Sequence, residues 1–364
     1  MIGFRKACMV NIDDREAMNI LDTVHVLASI QQLGEQCEEA WTDALKIVFP
    51  EEYKHVTSIV FSGMGGSALG AYAVKSLYAD RLPVPFDVYN EYSLPEYINE
   101  HTLVILASYS GTTEETLASA KHALSKKACI TGLTTGGTLG AMFEENHIPF
   151  YTIRPTHNPA GQPRMATGYS VIGQLAMLTT LGFLTIKKEE IDLIAKTLSA
   201  GNAVYDPAKQ ISKNPAKMLA KKLDGKIPII VSAEFLGNTG RIVQNYFHET
   251  GKCFSDYHII PEMNHHLMEG LTNPKTNTDI LTFLFLTSHL YSPRITKRIS
   301  VTKDVIAQQH IGIEEFVPLS ENKLVELFEC VQFAGYVNYY MAMMYDLDPS
   351  KIPWVDYFKK QLAK

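Results

Sequence analysis

The sequence predicts an α/β protein built from two doubly wound parallel sheets, with a helical segment before the first of them. β-branched runs and amphipathic stretches alternate between residues 56 and 153. The same alternation begins again at Lys226, after a polar stretch over residues 201–215. Such alternation is typical of a parallel sheet with helices on both faces, which gives three layers. Apolar residues at helical spacing from residue 14 to Pro50 predict the helical segment.

Each element of the first α/β region is predicted from its apolar pattern and the turn residues that bound it. A long apolar run over residues 168–185 predicts a buried helix, because it offers no polar face to solvent. A loop rich in proline, over residues 154–164, precedes this helix. In order, we predict strands at 57–62, 84–89, 103–107, 128–133 and 149–153, and helices at 67–79, 113–125 and 138–145.

The second α/β region begins with the same layout as the first. A strand at 226–232 leads through a loop at 237–240 into a helix at 240–250. A chain of 364 residues is longer than one hydrophobic core usually supports, so more than one domain is expected. We predict a helical segment at 1–50, a first α/β domain at 51–200 and a second α/β domain at 201–364.

Composition excludes several classes of protein. The net charge is −6 and the basic residues are scattered, so neither nucleic acid nor an anionic membrane is an expected partner. No apolar stretch reaches the length of a membrane span, and the first residues do not form a signal peptide. The cysteines are odd in number and contain no Cys-x-x-Cys pair, which predicts reduced thiols in a cytoplasmic protein. They are Cys8, Cys37, Cys129, Cys253 and Cys330.

Two glycine-containing and hydroxyl-rich loops, at 61–70 and 107–116, are the most informative feature of the chain. Each follows a predicted strand and precedes a predicted helix. Backbone N–H groups and the positive end of the helix dipole attract phosphate at such a place, and glycine lets the backbone approach closely. Hydroxyl groups add uncharged donors for the phosphate oxygens. The candidate phosphate ligands are Gly65, Gly66, Ser67, Ser108, Ser110, Thr112 and Thr113.

Better-known glycine motifs account for these loops less well. Ala71 stands where a P-loop needs lysine, and Leu69 stands where a serine-hydrolase elbow needs glycine. The dinucleotide fingerprint does fit, as Gly63-x-Gly65-x-x-Ala68 with Asp87 beyond it. An NAD-dependent oxidoreductase is therefore an alternative, although it leaves the second loop without a role. A purely structural interpretation, in which serine and threonine only cap two turns, is the other.

Polar residues of the second domain lie in two short stretches. The spacing of Arg241, Asn245, Glu249 and Lys252 places all four along one helical face, which is either functional or simply solvated. Residues 261–266 follow a predicted strand end and contain two adjacent histidines and a glutamate. Their spacing matches no metal-ligand pattern, so a metal site is not expected.

Taken together, these motifs resemble the sugar-isomerase (SIS) proteins, and within them the bifunctional phosphoglucose/phosphomannose isomerases. The resemblance extends from about residue 55 to the C-terminus and keeps the order of the motifs. The segments that carry it are 62–67, 108–113, Pro163-Arg164, Glu249 with Lys252, residues 261–265, Asp348-Pro349 and Lys359.

The resemblance implies two SIS domains and an aldose–ketose isomerase that acts on hexose 6-phosphate through an enediolate, without metal or nucleotide cofactor. It implies that Glu249 moves the proton between C1 and C2, as a carboxylate suits. It implies that Arg164 stabilises the enediolate and that Lys359 lies near the site. In this family the residue at His265 opens the sugar ring in the neighbouring subunit's site, so a homodimer is expected.

One departure from the family pattern concerns the substrate. Close relatives carry a threonine shortly before the C-terminal lysine, which is associated with use of both epimers, and Ile352 stands there in this chain. Ser350 is two residues out of register. Glucose 6-phosphate is thus the expected substrate, and mannose 6-phosphate stays open. A non-catalytic SIS protein that binds sugar phosphate is a further alternative, although it would not need Glu249 or His265.

Overall fold

The computed structural model describes residues 11–362, so the prediction for Cys8 lies outside the described residues. The strands are β1 Ser58–Gly63, β2 Phe86–Tyr89, β3 Thr102–Ala107, β4 Cys129–Thr134, β5 Tyr151–Thr152, β6 Ile227–Ala233, β7 Asp256–Ile260, β8 Leu281–Leu286 and β9 Gly312–Phe316. The helices are α1 Arg15–Leu21, α2 Val26–Gln31, α3 Leu33–Ala44, α4 Leu69–Leu77, α5 Glu114–Ser125, α6 Gly137–Glu145, α7 Thr167–Thr180, α8 Lys188–Val204, α9 Pro215–Lys222, α10 Thr239–Glu249, α11 Leu267–Gly270, α12 Asn277–Ile280, α13 Pro293–Gln308, α14 Lys323–Met344 and α15 Pro353–Leu362.

The first sheet has five parallel strands in the order β2-β1-β3-β4-β5. All five predicted strands of this region are present, although β5 has only two residues. Gly63 at the end of β1 pairs with Ala107 at the end of β3. The loops that follow these two strands therefore leave the sheet side by side at its carboxyl edge. Ligands bind at this edge in doubly wound sheets.

The second sheet has four parallel strands in the order β7-β6-β8-β9, so β6 and β8 take the places of β1 and β3. A short 3-10 turn follows both β1 and β6, at Gly65–Ala68 and Glu234–Leu236, and a helix comes next in each case. The repeated layout expected from the sequence is confirmed. Two parallel α/β sheets with helices on both faces confirm the predicted fold class.

The N-terminal helices brace the first domain from one side. α3 packs on α7, which is almost wholly buried as the apolar run predicts. The Gln36 side-chain amide of α3 donates hydrogen bonds to the main-chain oxygens of His157 at 3.0 Å and Met165 at 2.9 Å. Gln36 is fully buried, so it holds the proline-rich loop in place from inside the protein. The N-terminal segment thereby supports the turn that contains Arg164.

The two sheets are joined by helices rather than by a linker. α10 of the second half packs on α4 of the first, and the Arg241 guanidinium lies 4.0 Å from the centre of the Tyr72 ring. α8 runs through the predicted border at residue 200 and packs against α14. The domain bounds stay a prediction. No helix among residues 11–362 is long and apolar enough to cross a membrane.

Candidate active site

The two glycine-containing loops meet directly at the carboxyl edge of the first sheet. The backbone N–H of Tyr109 in the second loop donates a hydrogen bond of 2.9 Å to the Ser67 hydroxyl in the first. Gly65 has a φ of 48°, in the region that favours glycine, and a Cβ there would meet open space. The first loop therefore faces open space at Gly65 and is hydrogen-bonded to the second loop at Ser67.

The second loop gathers its hydroxyl groups into pairs. The Ser108 and Thr113 hydroxyl oxygens are 2.8 Å apart, and those of Ser110 and Thr112 are 2.9 Å apart. Gly111 between them has a φ of 69°, and a Cβ there would lie 1.8 Å from the Gly136 carbonyl oxygen. Only glycine fits this turn, because the backbone of the loop after β4 packs directly against it and leaves no room for a side chain. The predicted ligands Ser67, Ser108, Ser110 and Thr113 thus lie in one loop cluster.

The first loop also touches the turn that contains Arg164. A Cβ on Gly66 would lie 2.8 Å from the Arg164 backbone nitrogen and 2.9 Å from the Pro163 carbonyl carbon. The absence of a side chain at Gly66 is therefore what allows the loop to pack on this turn. The contact places the two loops next to the turn that contains the predicted site residue Arg164.

Arg164 is the centre of the site. Its guanidinium is buried and lies 3.2 Å from the Glu249 carboxylate, across 85 residues of sequence. Burial lowers the pKa of the Arg164 guanidinium, and the Glu249 carboxylate opposes that shift. All five N–H donors of the guanidinium are engaged by protein acceptors. The acceptors are the Thr250 hydroxyl at 3.0 Å, Gln162 Oε1 at 3.0 Å, Glu249 Oε2 at 3.2 Å, Pro349 O at 2.9 Å and Ser350 O at 3.0 Å.

The predicted polar face of α10 contacts other parts of the protein as well as solvent. Arg241 stacks on Tyr72, Glu249 pairs with Arg164, and the Asn245 side-chain oxygen is buried without a hydrogen-bond partner among the described residues. Lys252 lies beyond the end of α10, so the polar face of the helix is shorter than predicted. Its ammonium group does not pair with the Glu249 carboxylate and instead contacts the Glu249 main-chain oxygen at 2.5 Å.

His265 lies apart from this cluster. It sits in the 3-10 turn Glu262–His265 after β7, and its side chain is exposed. The neighbouring Asn264 is held by the Thr302 hydroxyl at 2.8 Å, which fixes the turn on α13. Within residues 11–362, no hydrogen bond or ion pair connects His265 with Glu249 or Arg164. A single copy of the chain therefore does not bring the two predicted catalytic groups together.

Lys359 also lies outside the cluster, on the last described helix. Every residue of α15 is exposed. The segment just before this helix nevertheless reaches the site, because Arg164 binds the carbonyl oxygens of Pro349 and Ser350. The structure thus brings the start of the C-terminal segment to Glu249 and leaves Lys359 itself in solvent.

Sequence patterns missed the acceptors that hold Arg164. Gln162 and Thr250 neighbour predicted site residues, but nothing in their spacing indicates a shared partner. The carbonyl oxygens of Pro349 and Ser350 carry no side-chain signature at all. A main-chain acceptor is found only when the fold brings it to its donor.

The geometry around Asp87 does not favour a dinucleotide. Asp87 is the second residue of β2 and lies before the carboxyl end of the strand, where a ribose would bind. Its carboxylate is engaged by Lys75 at 3.0 Å and by the Tyr97 hydroxyl at 3.2 Å.

The cysteines among the described residues are free thiols, as the sequence predicts.

Comparison with known proteins agrees with the predicted fold class. The SIS domain family model matches residues 52–185, and the model described as the bacterial phospho-glucose isomerase C-terminal SIS domain matches residues 212–362. The protein is therefore of the class built from two SIS domains. A bifunctional phosphoglucose/phosphomannose isomerase of Caldicellulosiruptor bescii is 32% identical over 340 residues, which are 92% of this chain and 98% of the relative. The chain belongs to the bifunctional phosphoglucose/phosphomannose isomerase family.

Other relatives agree with this assignment at lower identity. An Aquifex aeolicus protein of the same name is 26% identical over 328 residues, covering 89% of this chain and 94% of its own. A crystal structure of a hypothetical protein from Thermus thermophilus aligns with a TM-score of 0.72 at 15% identity, covering 96% of this chain and 94% of its own. At that identity the structural match supports the fold alone.

Proposed function

We propose that this protein interconverts glucose 6-phosphate and fructose 6-phosphate, and also accepts mannose 6-phosphate, through an enediolate. The observation that carries the proposal is the Arg164–Glu249 ion pair, together with the packing of the Arg164 backbone against Gly66 of the first loop. An anion-binding loop and a carboxylate with a cationic neighbour are the two parts that this reaction needs. The names of the family's members support the choice of substrates.

The phosphate of the substrate binds to the two loops of the first domain in this proposal. Backbone N–H groups at Gly65 and Gly66 and the hydroxyls of Ser67, Ser108, Ser110 and Thr113 supply the donors. The hydroxyls now pair with one another or with the backbone, so phosphate oxygens would replace these mutual contacts. Holding the phosphate here directs the sugar toward Arg164, since Gly66 packs on the turn that contains it.

Glu249 carries out the proton transfer. It removes the proton from C2 of the open-chain aldose, which forms an enediolate. The hydroxyl proton then passes from O2 to O1, and Glu249 returns its proton to C1 to give the ketose. Arg164 stabilises the negative charge that develops on the enediolate oxygens. All of its N–H donors are engaged at rest, one of them by Glu249. When Glu249 takes up the proton, its hold on this donor weakens and the N–H is released to the substrate oxygen.

Ring opening is assigned to His265 of a second copy, which makes the working unit a homodimer. The exposure of His265, and the lack of a contact between it and Glu249 in one copy, support this assignment. The apolar face of α15 supports it too, because a monomer rarely leaves so many large apolar side chains in solvent on one helix. These side chains are Trp354, Val355, Tyr357, Phe358 and Leu362, with Trp354 exposed by 83%.

The structure of the C-terminal segment bears on the choice of epimer. Ser350 is buried, and its hydroxyl donates a hydrogen bond of 2.6 Å to the Asp348 carboxylate. Ser350 is therefore not available to take the role of the threonine that close relatives carry at the position of Ile352. We propose that both epimers are used nevertheless, and that Ile352 changes their ratio.

Free thiols in the described chain support a cytoplasmic enzyme.

The test is an assay with chelator present and no nucleotide added, following fructose 6-phosphate formation from glucose 6-phosphate and from mannose 6-phosphate in parallel. Conversion of both is the expected result. Conversion of glucose 6-phosphate alone would overturn the mannose part and identify Ile352→Thr as the variant to compare. Conversion of neither would overturn the proposed reaction and favour the sugar-phosphate-binding alternative, which isothermal titration with both sugars would then measure.

A further inference from the structure

Lys252 holds three main-chain oxygens at the edge of the site. It lies three residues after Glu249, with a φ of 56°, and its side chain folds back toward the end of α10. The ammonium donates to the Glu249 oxygen at 2.5 Å, to the Pro349 oxygen at 3.4 Å and to the Lys351 oxygen. One side chain thus ties the end of the helix that carries Glu249 to the C-terminal segment.

Arg164 holds the same segment from the other side. It donates to the carbonyl oxygens of Pro349 and Ser350, so three consecutive carbonyls, at residues 349–351, face two cations. The Asp348 carboxylate closes the turn by accepting from the Ser350 backbone N–H at 2.8 Å and from the Thr23 hydroxyl at 2.8 Å. α15 begins two residues after this run of carbonyls, so the position of the helix depends on the turn.

We propose that Lys252 is a positioning residue for the isomerase reaction: its ammonium locks residues 349–351 onto the carboxyl end of α10. The lock fixes the backbone at Glu249 and the start of the helix that carries Lys359. This inference rests on the proposed function, because isomerisation is one of its readouts. A cation at the carboxyl end of a helix is also stabilised by the helix dipole.

The Lys252 ammonium titrates closer to neutral pH than an ordinary lysine, because its pKa is lowered. Burial and the neighbouring Arg164 lower the pKa of the Lys252 ammonium to about 8, while Glu249 and Asp348 oppose that shift. These three side chains are the charged groups that face it from the proline-rich loop, α10 and the C-terminal segment. As pH rises through this value, the ammonium loses its charge and one donor, so the lock weakens. Arginine keeps its charge over the same range.

The experiment compares Lys252→Met, Lys252→Arg and Lys217→Met. Lys217 is the control because its buried ammonium also binds main-chain oxygens, of Pro207 and Lys209 at 2.8 Å each, together with the Asp13 carboxylate at 3.0 Å, and none of these groups belongs to the candidate site. We measure kcat and KM against pH, and hydrogen exchange of the amides at 346–362. Melting temperatures exclude general unfolding as the cause of any loss.

Lys252→Met is expected to lower kcat about 10- to 100-fold, since a small displacement of reacting groups has effects of that size. It should also speed exchange at 346–362, with a smaller effect on KM. From the Lys252 pKa of about 8 we expect an alkaline limb near that pH in the native protein, and Lys252→Arg should restore part of kcat and move this limb to higher pH. Lys217→Met should lower the melting temperature and leave the pH profile in place.

Unchanged exchange and kcat in Lys252→Met would overturn the inference. So would an alkaline limb that stays in place in Lys252→Arg, because the limb would then belong to another group. If the native protein isomerises neither sugar phosphate, the proposed reaction fails, but exchange at 346–362 still decides whether Lys252 locks the segment. The two failures are therefore distinguishable.

Discussion

The two sheets share the order of their first four strands, but the helix that follows the third strand begins differently in each. In the first domain, α5 begins after the hydroxyl loop, and no side chain of the described residues caps its first turn. In the second domain, α13 begins at the corresponding place, where the Glu234 carboxylate accepts from the Ser292 backbone N–H at 3.2 Å and from its hydroxyl at 2.5 Å. A carboxylate of the protein thus occupies in the second domain the position that we assign to substrate phosphate in the first.

This difference separates what the shared strand order sets, which is the position of the loops, from what the loop residues set. Parallel strand order puts two loops beside a helix N-terminus in both domains, and this place attracts an anion in each. A Cβ at Gly65 would meet open space in the first domain, whereas the Glu234 carboxylate binds the residue that precedes α13 in the second. The second domain instead contributes Glu249, at the far end of the helix after β6. In the proposed mechanism, the first domain binds the phosphate and the second supplies the proton-transfer group.

The largest effect is expected from Glu249→Gln, compared with Glu234→Gln. Loss of the base should lower kcat about 10²- to 10⁴-fold and leave KM nearly unchanged, because the amide keeps the shape but cannot accept the proton. Glu234 lies in the second-domain loop, so its amide variant should keep kcat. Steady-state kinetics with glucose 6-phosphate measure both. Substantial turnover in Glu249→Gln would mean that another group is the base.

The next effect is on phosphate binding, in Ser108→Ala with Ser110→Ala. Hydrogen bonds to a charged group are worth about 1.5–3 kcal/mol each, so KM should rise at least 10-fold with a smaller change in kcat. Ser292→Ala removes the corresponding hydroxyl of the second domain and should leave KM as it is. An equal KM in the double variant would remove these hydroxyls from the phosphate site.

His265→Ala should have a smaller and more selective effect. Ring opening also proceeds slowly without an enzyme, so we expect about a 10-fold loss with the ring-closed substrate and little loss with an open-chain analogue. His266→Ala is the control, since His266 is the next residue and is also exposed. Mixing Glu249→Gln with His265→Ala protein should raise activity above that of either variant through hybrid dimers. No increase, or equal losses on both substrates, would contradict the assignment to a neighbouring subunit.

The smallest effect is structural and compares Gly66→Ala with Gly237→Ala. A Cβ at Gly66 would meet main-chain atoms of Pro163 and Arg164 at 2.9 Å and 2.8 Å, and these cannot move without moving the site. At Gly237 the nearest atom, the Glu234 oxygen, is 3.0 Å away. Overpacking should destabilise Gly66→Ala by about 1–3 kcal/mol and Gly237→Ala by less. Thermal unfolding measures both, and the reverse order would show that the Gly66 contact yields easily.

Much of the fold was predictable because its signals are local. Alternating apolar runs, with glycine and hydroxyl residues between them, predicted every strand of the first sheet and the buried helix α7. The same local chemistry predicted the two loops, whose neighbourhood the fold confirms. Lys252 illustrates the limit. Its spacing from Glu249 predicts a helical side-chain pair, but the helix ends at Glu249, so the ammonium binds main-chain oxygens instead.

From the sequence alone we could predict the strand–loop–helix units, an anion-binding role for the first two loops and the family resemblance. These properties depend on residue type and on spacing over a few positions. Only the tertiary structure decided that Arg164 meets Glu249 across 85 residues and Pro349 across 185, and that Glu234 binds the residue that precedes α13 in the second domain. The reason is physical: such contacts join groups brought together by packing, and several of the acceptors are main-chain oxygens that every residue carries.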